Sequence, residues 1–208
     1  MLMPMKKLVR RYRLRPAGVI HVGAHLAEER EAYESAGVQR VVWIEANPNL
    51  IPELTRRAAG RMATRVVQAV LSNRDGETAT LHLASNGQSS SILAPARHLA
   101  HHPKVTFDQT VALPATTFRT LVAQEQIDLA GYDFLNLDIQ GAELLALEGF
   151  GDLVRGFRAI YSEVNTGELY RGCARLEELD AWLQERGFRR AATEMTRHEW
   201  GDALYLAK

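Results

Sequence analysis

A chain of 208 residues, 46% hydrophobic and 24% charged, carries enough apolar material for one sizeable core. Its 25 basic and 25 acidic residues cancel to zero net charge, which argues against nucleic acid or an anionic membrane as partner and for a small molecule. The single cysteine, Cys173, excludes an internal disulfide and a cysteine-built zinc site and fits a reducing compartment, so a cytoplasmic protein is expected. The chain opens on a basic leader, residues 1–16, whose "MKKLVRRYRLR" reads as a solvated helix packing Leu8 and Tyr12 on the rest. No apolar h-region follows it, and no run approaches the roughly 20 apolar residues of a bilayer span, so neither signal peptide nor anchor is expected. Residues 17–208 then read as one domain.

Within that domain, apolar β-rich runs recur with helical patterns between them. The runs are "GVIHVG" (18–23), "RVVWIEA" (40–46), "RVVQAVLS" (65–72), "YDFLNLDI" (132–139), "AIYSEVN" (159–165) and "DALYLAK" (202–208). Such alternation predicts a mostly parallel sheet with helices on both faces. "AEEREAYESAG" has acids in its first turn and a glycine stop at Gly37, and "NLIPELTRRAAG" has Pro52 near its start and Gly60 after its end. "GAELLALEGF" and "CARLEELDAWLQERGF" are the later helices, the second with Leu176, Leu179, Trp182 and Leu183 on one stripe. Two segments, 77–84 and 104–117, alternate like antiparallel or edge strands and form a β-rich insertion. Between them residues 85–103, polar and glycine-containing, are the expected substrate loop.

Ligands of open parallel sheets bind beyond the carboxyl ends of the strands. After the first strand, Gly23 permits a tight turn, and Ala24, His25 and Glu28 follow at a helix N-terminus. After the second, Glu45 stands at an exposed strand end 22 positions beyond Gly23, where a carboxylate would take two ribose hydroxyls. Together with His21, Ala46, Asn47 and Ala69 these residues form the expected cofactor wall. Dinucleotides favour G-x-G-x-x-G, whereas Ala24, His25, Leu26 and Ala27 follow Gly23, a loop better suited to the compact amino-acid tail of S-adenosylmethionine.

The segments "VIHVGAHLAEE", "WIEANP", "SSSIL", "FLNLDIQGAELLALEGF" and "YSEVNTGELYRGC" resemble the FkbM family of S-adenosylmethionine-dependent methyltransferases across roughly residues 17 to 207, with "LDIQGAE" carrying the most weight. The resemblance implies a class I methyltransferase fold, Rossmann-like, with a seven-stranded sheet whose last strand, "DALYLAK", is antiparallel. It also implies O-methylation of a hydroxyl on a sugar or secondary metabolite. The chain departs from the family pattern at His21, where an acid is common, at Ala27, where glycine is common, and at "TTFRT", where Thr-Leu-Asp is common.

Methyl transfer needs alignment of donor and acceptor and a group to take the hydroxyl proton. Asp138, ending the fourth strand, is the first candidate base and also a cofactor-orienting candidate; His98 in the inserted loop is the second base, while His101 and His102 read as an exposed turn. Ser89 and Ser90, Gln140, Glu143, and Glu163 with Asn165 are candidate acceptor-binding residues. Asp138, Glu163 and Asn165 would also suit Mg²⁺, although no metal is assigned. The competing readings are an NAD-dependent or nucleotide-sugar oxidoreductase and a non-catalytic cofactor-binding protein. A homodimer is left open.

Overall fold

Strands that are apolar at every position need cover on both faces, and the computed structural model, which describes residues 1–208, supplies it. In chain order the strands are β1 (Gly18–Val22), β2 (Arg40–Glu45), β3 (Ala63–Gln68), β4 (Val70–Leu71), β5 (Thr78–Leu83), β6 (Gln109–Thr116), β7 (Phe134–Leu137), β8 (Ala159–Asn165), β9 (Phe188–Met195) and β10 (Trp200–Ala207). The helices are α1 (Met5–Tyr12), α2 (Arg30–Ser35), α3 (Ile51–Ala58), α4 (His98–His101), α5 (Phe118–Gln124), α6 (Glu143–Phe150) and α7 (Leu176–Glu185).

Seven strands form one sheet in the order β3-β2-β1-β7-β8-β10-β9. β10 runs antiparallel to both neighbours, and the remaining pairings are parallel. Alternate residues of each central strand serve opposite cores. Ile20, Val22, Val42 and Ile44 pack with α5, α6 and α7, while Val19, Val41 and Trp43 pack with α1, α2 and α3. The leader is part of the second core, for Met3, Met5 and Leu8 are buried in it and the Tyr12 hydroxyl donates to the Ala191 carbonyl. A separate three-stranded sheet, β4-β6-β5, is the β-rich insertion. No helix is long and apolar enough to cross a membrane.

The structure corrects the expected elements at several points. The run 65–72 is two strands, because the chain leaves the main sheet at Ala69 and β4 pairs with β6 instead. The strand expected over 104–117 is ordered as β only from Gln109. β9 and α5 were not among the expected elements. β9 is an edge strand with mostly exposed side chains, so it lacks an apolar face, and α5 begins inside "TTFRT", where the Thr117 hydroxyl accepts from the Thr120 N–H at 3.2 Å. α2 starts three residues later than read because Ala27 takes φ +58°, a left-handed turn that glycine adopts more cheaply. Its end agrees, with Gly37 at φ +84° just beyond it.

Candidate active site

The connection after β3 crosses from one side of β1 to the other, so β1 and β7 flank the point where strand order reverses. A cleft opens beyond their carboxyl ends. Two adjoining cavities fill it, sharing Gly23, His25, Gln88 and Asp138 in their walls.

The smaller cavity, about 570 Å³, is largely apolar, with Val22, Ile44, Leu71, Leu81, Ile92 and Ala142 in its wall and Ala46 and Ala69 beside them. Its floor depends on Gly23, which has φ +85° and lies so near β7 that a Cβ would stand 1.8 Å from the Asp138 carbonyl oxygen. Glu45 projects into this cavity. It is 8% exposed and not an exposed strand end, because the backbone wraps it. The His25 N–H donates to its Oε2 at 2.8 Å and the Asn47 N–H to its Oε1 at 2.8 Å. Burial raises its pKa, and those two N–H groups partly offset the rise. Ala24 and Asn47 are buried behind the wall, the Asn47 side chain accepting from the Asn49 N–H at 3.0 Å.

The larger cavity, about 1150 Å³, is mainly polar. Asp138 is exposed within it. Gln140, itself at φ +57°, ties three walls together. Its Nε2 donates to Asp138 Oδ1 at 2.8 Å and to Glu163 Oε2 at 2.5 Å, while its Oε1 accepts from the Tyr170 hydroxyl at 2.9 Å. Burial, with Asp138 and Glu143 nearby, holds Glu163 well above the usual carboxylate range. His21 is buried in this wall beneath Tyr33, whose hydroxyl lies 3.1 Å from its Nδ1, and burial lowers its pKa, so a neutral imidazole occupies the position. His25 is the opposite case: the Glu28 carboxylate 2.6 Å from its Nδ1 raises its pKa.

Residues 85–103 contribute to the walls of both cavities. Gly87 lies so near the His25 ring that a Cβ would stand 2.8 Å from its Nε2. The serine hydroxyls, however, serve the loop itself: Ser90 Oγ donates to the Gly87 carbonyl and accepts from the Ala84 N–H, and Ser89 Oγ accepts from Asn86. Ser89 lines the larger cavity and Ser90 the smaller. His98 also lines the larger cavity, 4% exposed with Nδ1 unpartnered, and burial together with His102 and His101 depresses its pKa to about 4.

Two of the acceptor-binding candidates lie outside both cavities. Asn165 is buried, and neither atom of its carboxamide has a partner. It therefore does not join Asp138 and Glu163 in the wall, and no three His, Cys, Asp or Glu side chains stand as a metal-binding group. Glu143 is buried under the turn after β7, accepting from the Ile139 N–H at 3.0 Å and the Gly141 N–H at 3.1 Å. Burial pushes its pKa up to about 7 despite these bonds. The folded state then holds a proton that the unfolded state has lost, so this carboxyl's contribution to stability falls as pH rises from about 4.5 to about 7. Glu143→Gln keeps an acceptor for the turn and should flatten that slope, raising the melting temperature most above neutral pH. A pH series of thermal melts showing parallel curves for the two proteins would reject this account.

Asp202, Tyr170 and Trp200 line the larger cavity but escaped the sequence reading. The signal for Asp202 was its place at the start of the last strand run, which an antiparallel neighbour brings opposite Glu163. Tyr161 and the Leu2 N–H both donate to its Oδ2.

Solved structures share this architecture. The chain is similar to magnesium protoporphyrin IX methyltransferase from Synechocystis PCC 6803 with bound S-adenosylmethionine, at TM-score 0.53 and 13% identity over 98% of this chain and 76% of that one. It is also similar to ribosomal protein L11 methylase from Lactobacillus delbrueckii subsp. bulgaricus, at TM-score 0.52 and 12% identity over 98% and 77% of the two chains. A third, an S-adenosylmethionine-dependent methyltransferase from Aquifex aeolicus, matches at TM-score 0.50 and 12% identity over 100% and 91%. At these identities the likeness concerns the fold. A search of curated proteins finds no match. The sequence profile of the methyltransferase FkbM domain matches residues 21–190, and the chain belongs to that family of methyltransferases.

Proposed function

We propose that the protein transfers a methyl group from S-adenosylmethionine to a hydroxyl of a small polar acceptor, a sugar or hydroxylated metabolite. The observation that carries this reading is the meeting of an apolar cavity ending in Glu45 with a polar cavity at one exposed carboxylate, Asp138. The smaller cavity fits an adenosine: apolar side chains suit the base, and each Glu45 oxygen keeps acceptor capacity beyond its one N–H bond. His25 and the Gly23 turn form its shared wall with the larger cavity, where the amino-acid end would lie.

When bound, S-adenosylmethionine supplies a sulfonium methyl, which passes to the acceptor oxygen with the sulfide as leaving group. Asp138 takes the hydroxyl proton, held at Oδ1 by Gln140 and standing beside the Glu163 carboxyl. His98, depressed to about 4 by burial and its histidine neighbours, is neutral and offers its ring as a hydrogen-bonding wall. The substrate loop over both cavities limits access of water. Incubation with methyl-labelled cofactor and a panel of sugars and hydroxylated metabolites, with the product's labelled atom located by NMR, tests the reading; label on nitrogen or carbon would overturn O-methylation.

Glu45→Gln should weaken binding of S-adenosylhomocysteine, the demethylated cofactor, by about tenfold or more, the equivalent of one lost charge-assisted hydrogen bond. It should also destabilise the fold by about 1–3 kcal/mol, because its amide N–H₂ must face one of the two N–H donors. Calorimetry showing unchanged affinity would remove Glu45 from the cofactor site.

A further inference from the structure

The charge distribution of the larger cavity narrows the acceptor, given the methyl-transfer reading above. Its wall contains five acids, Glu28, Glu29, Asp138, Glu163 and Asp202, and neither lysine nor arginine. Two of the five are neutralised in place: Glu28 by His25 at 2.6 Å and Glu29 by the amino group of Met1 at 3.4 Å. Asp138 faces both cavities and so serves the cofactor side as well. Glu163 and Asp202 line only the larger cavity.

Those two acids are direct partners across β8 and β10, 4% and 5% exposed. Like charges opposite each other on neighbouring strands destabilise a sheet, and burial adds to that cost. Protein donors reach only one oxygen of each: Gln140 bonds Glu163 Oε2, and Tyr161 and Leu2 bond Asp202 Oδ2. The other oxygens receive no protein donor, and the one amino group in the wall, that of Met1, lies near Asp202 but is paired with Glu29. Burial, with Asp138 nearby, raises the pKa of both groups, and at Asp202 Tyr161, the Leu2 N–H and the Met1 amino group only partly offset the rise. Independently, His98 presents an unpartnered, buried ring nitrogen in the same wall, a polar atom that a ligand hydroxyl would satisfy. Trp200 adds an aromatic face of the kind that attracts cations.

The geometry points to an acceptor that carries a protonated amine beside its reacting hydroxyl, an amino sugar or amino alcohol, with the ammonium held between Glu163 and Asp202. Acceptors with a phosphate or carboxylate at that position are repelled. Three ammonium hydrogens match the free oxygens of the two acids and leave one for the acceptor's own solvent or hydroxyls.

The test uses the full chain saturated with S-adenosylhomocysteine, titrated by calorimetry with three matched sets: glucosamine and streptamine, glucose and N-acetylglucosamine, glucuronate and a glucose phosphate. The amines should bind tightest and the anions not at all. Asp202→Asn and Glu163→Gln should each weaken amine binding about tenfold while S-adenosylhomocysteine affinity holds; two variants guard against one of them failing to fold. Neutral or anionic members binding as well as the amines, amine affinity unchanged in both variants, or no binding by either amine would overturn the proposal. Failure of S-adenosylhomocysteine itself to bind is read first and counts against the methyl-transfer reading instead.

Discussion

Asp138→Asn is expected to lower turnover by roughly 10²–10⁴-fold with S-adenosylhomocysteine affinity nearly unchanged, the loss typical of removing a general base. The side chain keeps its size, and its carboxamide oxygen still accepts from Gln140 Nε2, so the wall between the cavities stays in place. What disappears is the capacity to take a proton. Asp138 is the one acid exposed in both cavities, which puts it beside donor and acceptor together. Single-turnover rates and calorimetric affinities measured on the same preparation separate the outcomes. A fall in affinity with turnover retained at saturation would make Asp138 a cofactor-orienting residue. Full activity would move the proton transfer elsewhere in the cavity, with His98 the next group to substitute.

Gly23→Ala should be the most damaging single methyl addition in the site. Its φ of +85° lies in the region where a side chain costs about 1–2 kcal/mol. The added Cβ would also stand 1.8 Å from the Asp138 carbonyl oxygen, and backbone cannot rotate away as a side chain would. Relief requires β1 and β7 to separate, which strains the pairing of Val22 with Leu137 and costs a further 1–3 kcal/mol, the usual range for overpacking. For a chain of this size each kcal/mol shifts the melting temperature by roughly 2–4 °C, so a fall of about 4–20 °C is expected together with loss of S-adenosylhomocysteine binding. A melting curve within a degree of the parent, with binding intact, would show that the glycine turn is not the constraint assigned to it.

Local composition alone identified the parallel strands, because β1, β7 and β8 are buried on both faces and must be apolar at nearly every position. The Gly23 turn and Glu45 beyond it were legible for a similar reason, since both stand at strand ends whose place in the order of elements is set by the chain itself. Register, edges and depth were not. β9 lies at the sheet edge with mostly exposed side chains, so nothing in "FRRAATEM" enforces an apolar period, and it is a strand because β10 pairs with it. The break at Ala69 leaves no trace in "RVVQAVLS", since an apolar residue serves either sheet equally well.

The site divides along the same line. Glu163 and Asn165 alternate onto one face of β8, as their spacing requires, yet only Glu163 reaches a cavity while Asn165 is buried away from it. Glu45 reads as an exposed acid at a strand end and Glu143 as an acceptor-binding acid near a helix start, and folding buries both by closing backbone N–H groups around their carboxyls. Asp202 became part of the cavity only because antiparallel pairing sets it opposite Glu163. A sequence specifies which residues end each strand, since that follows from local burial and turn chemistry. Which acids share a cavity, and which are left without a partner there, depends on contacts between segments far apart in the chain, and only the packed sheet decides them.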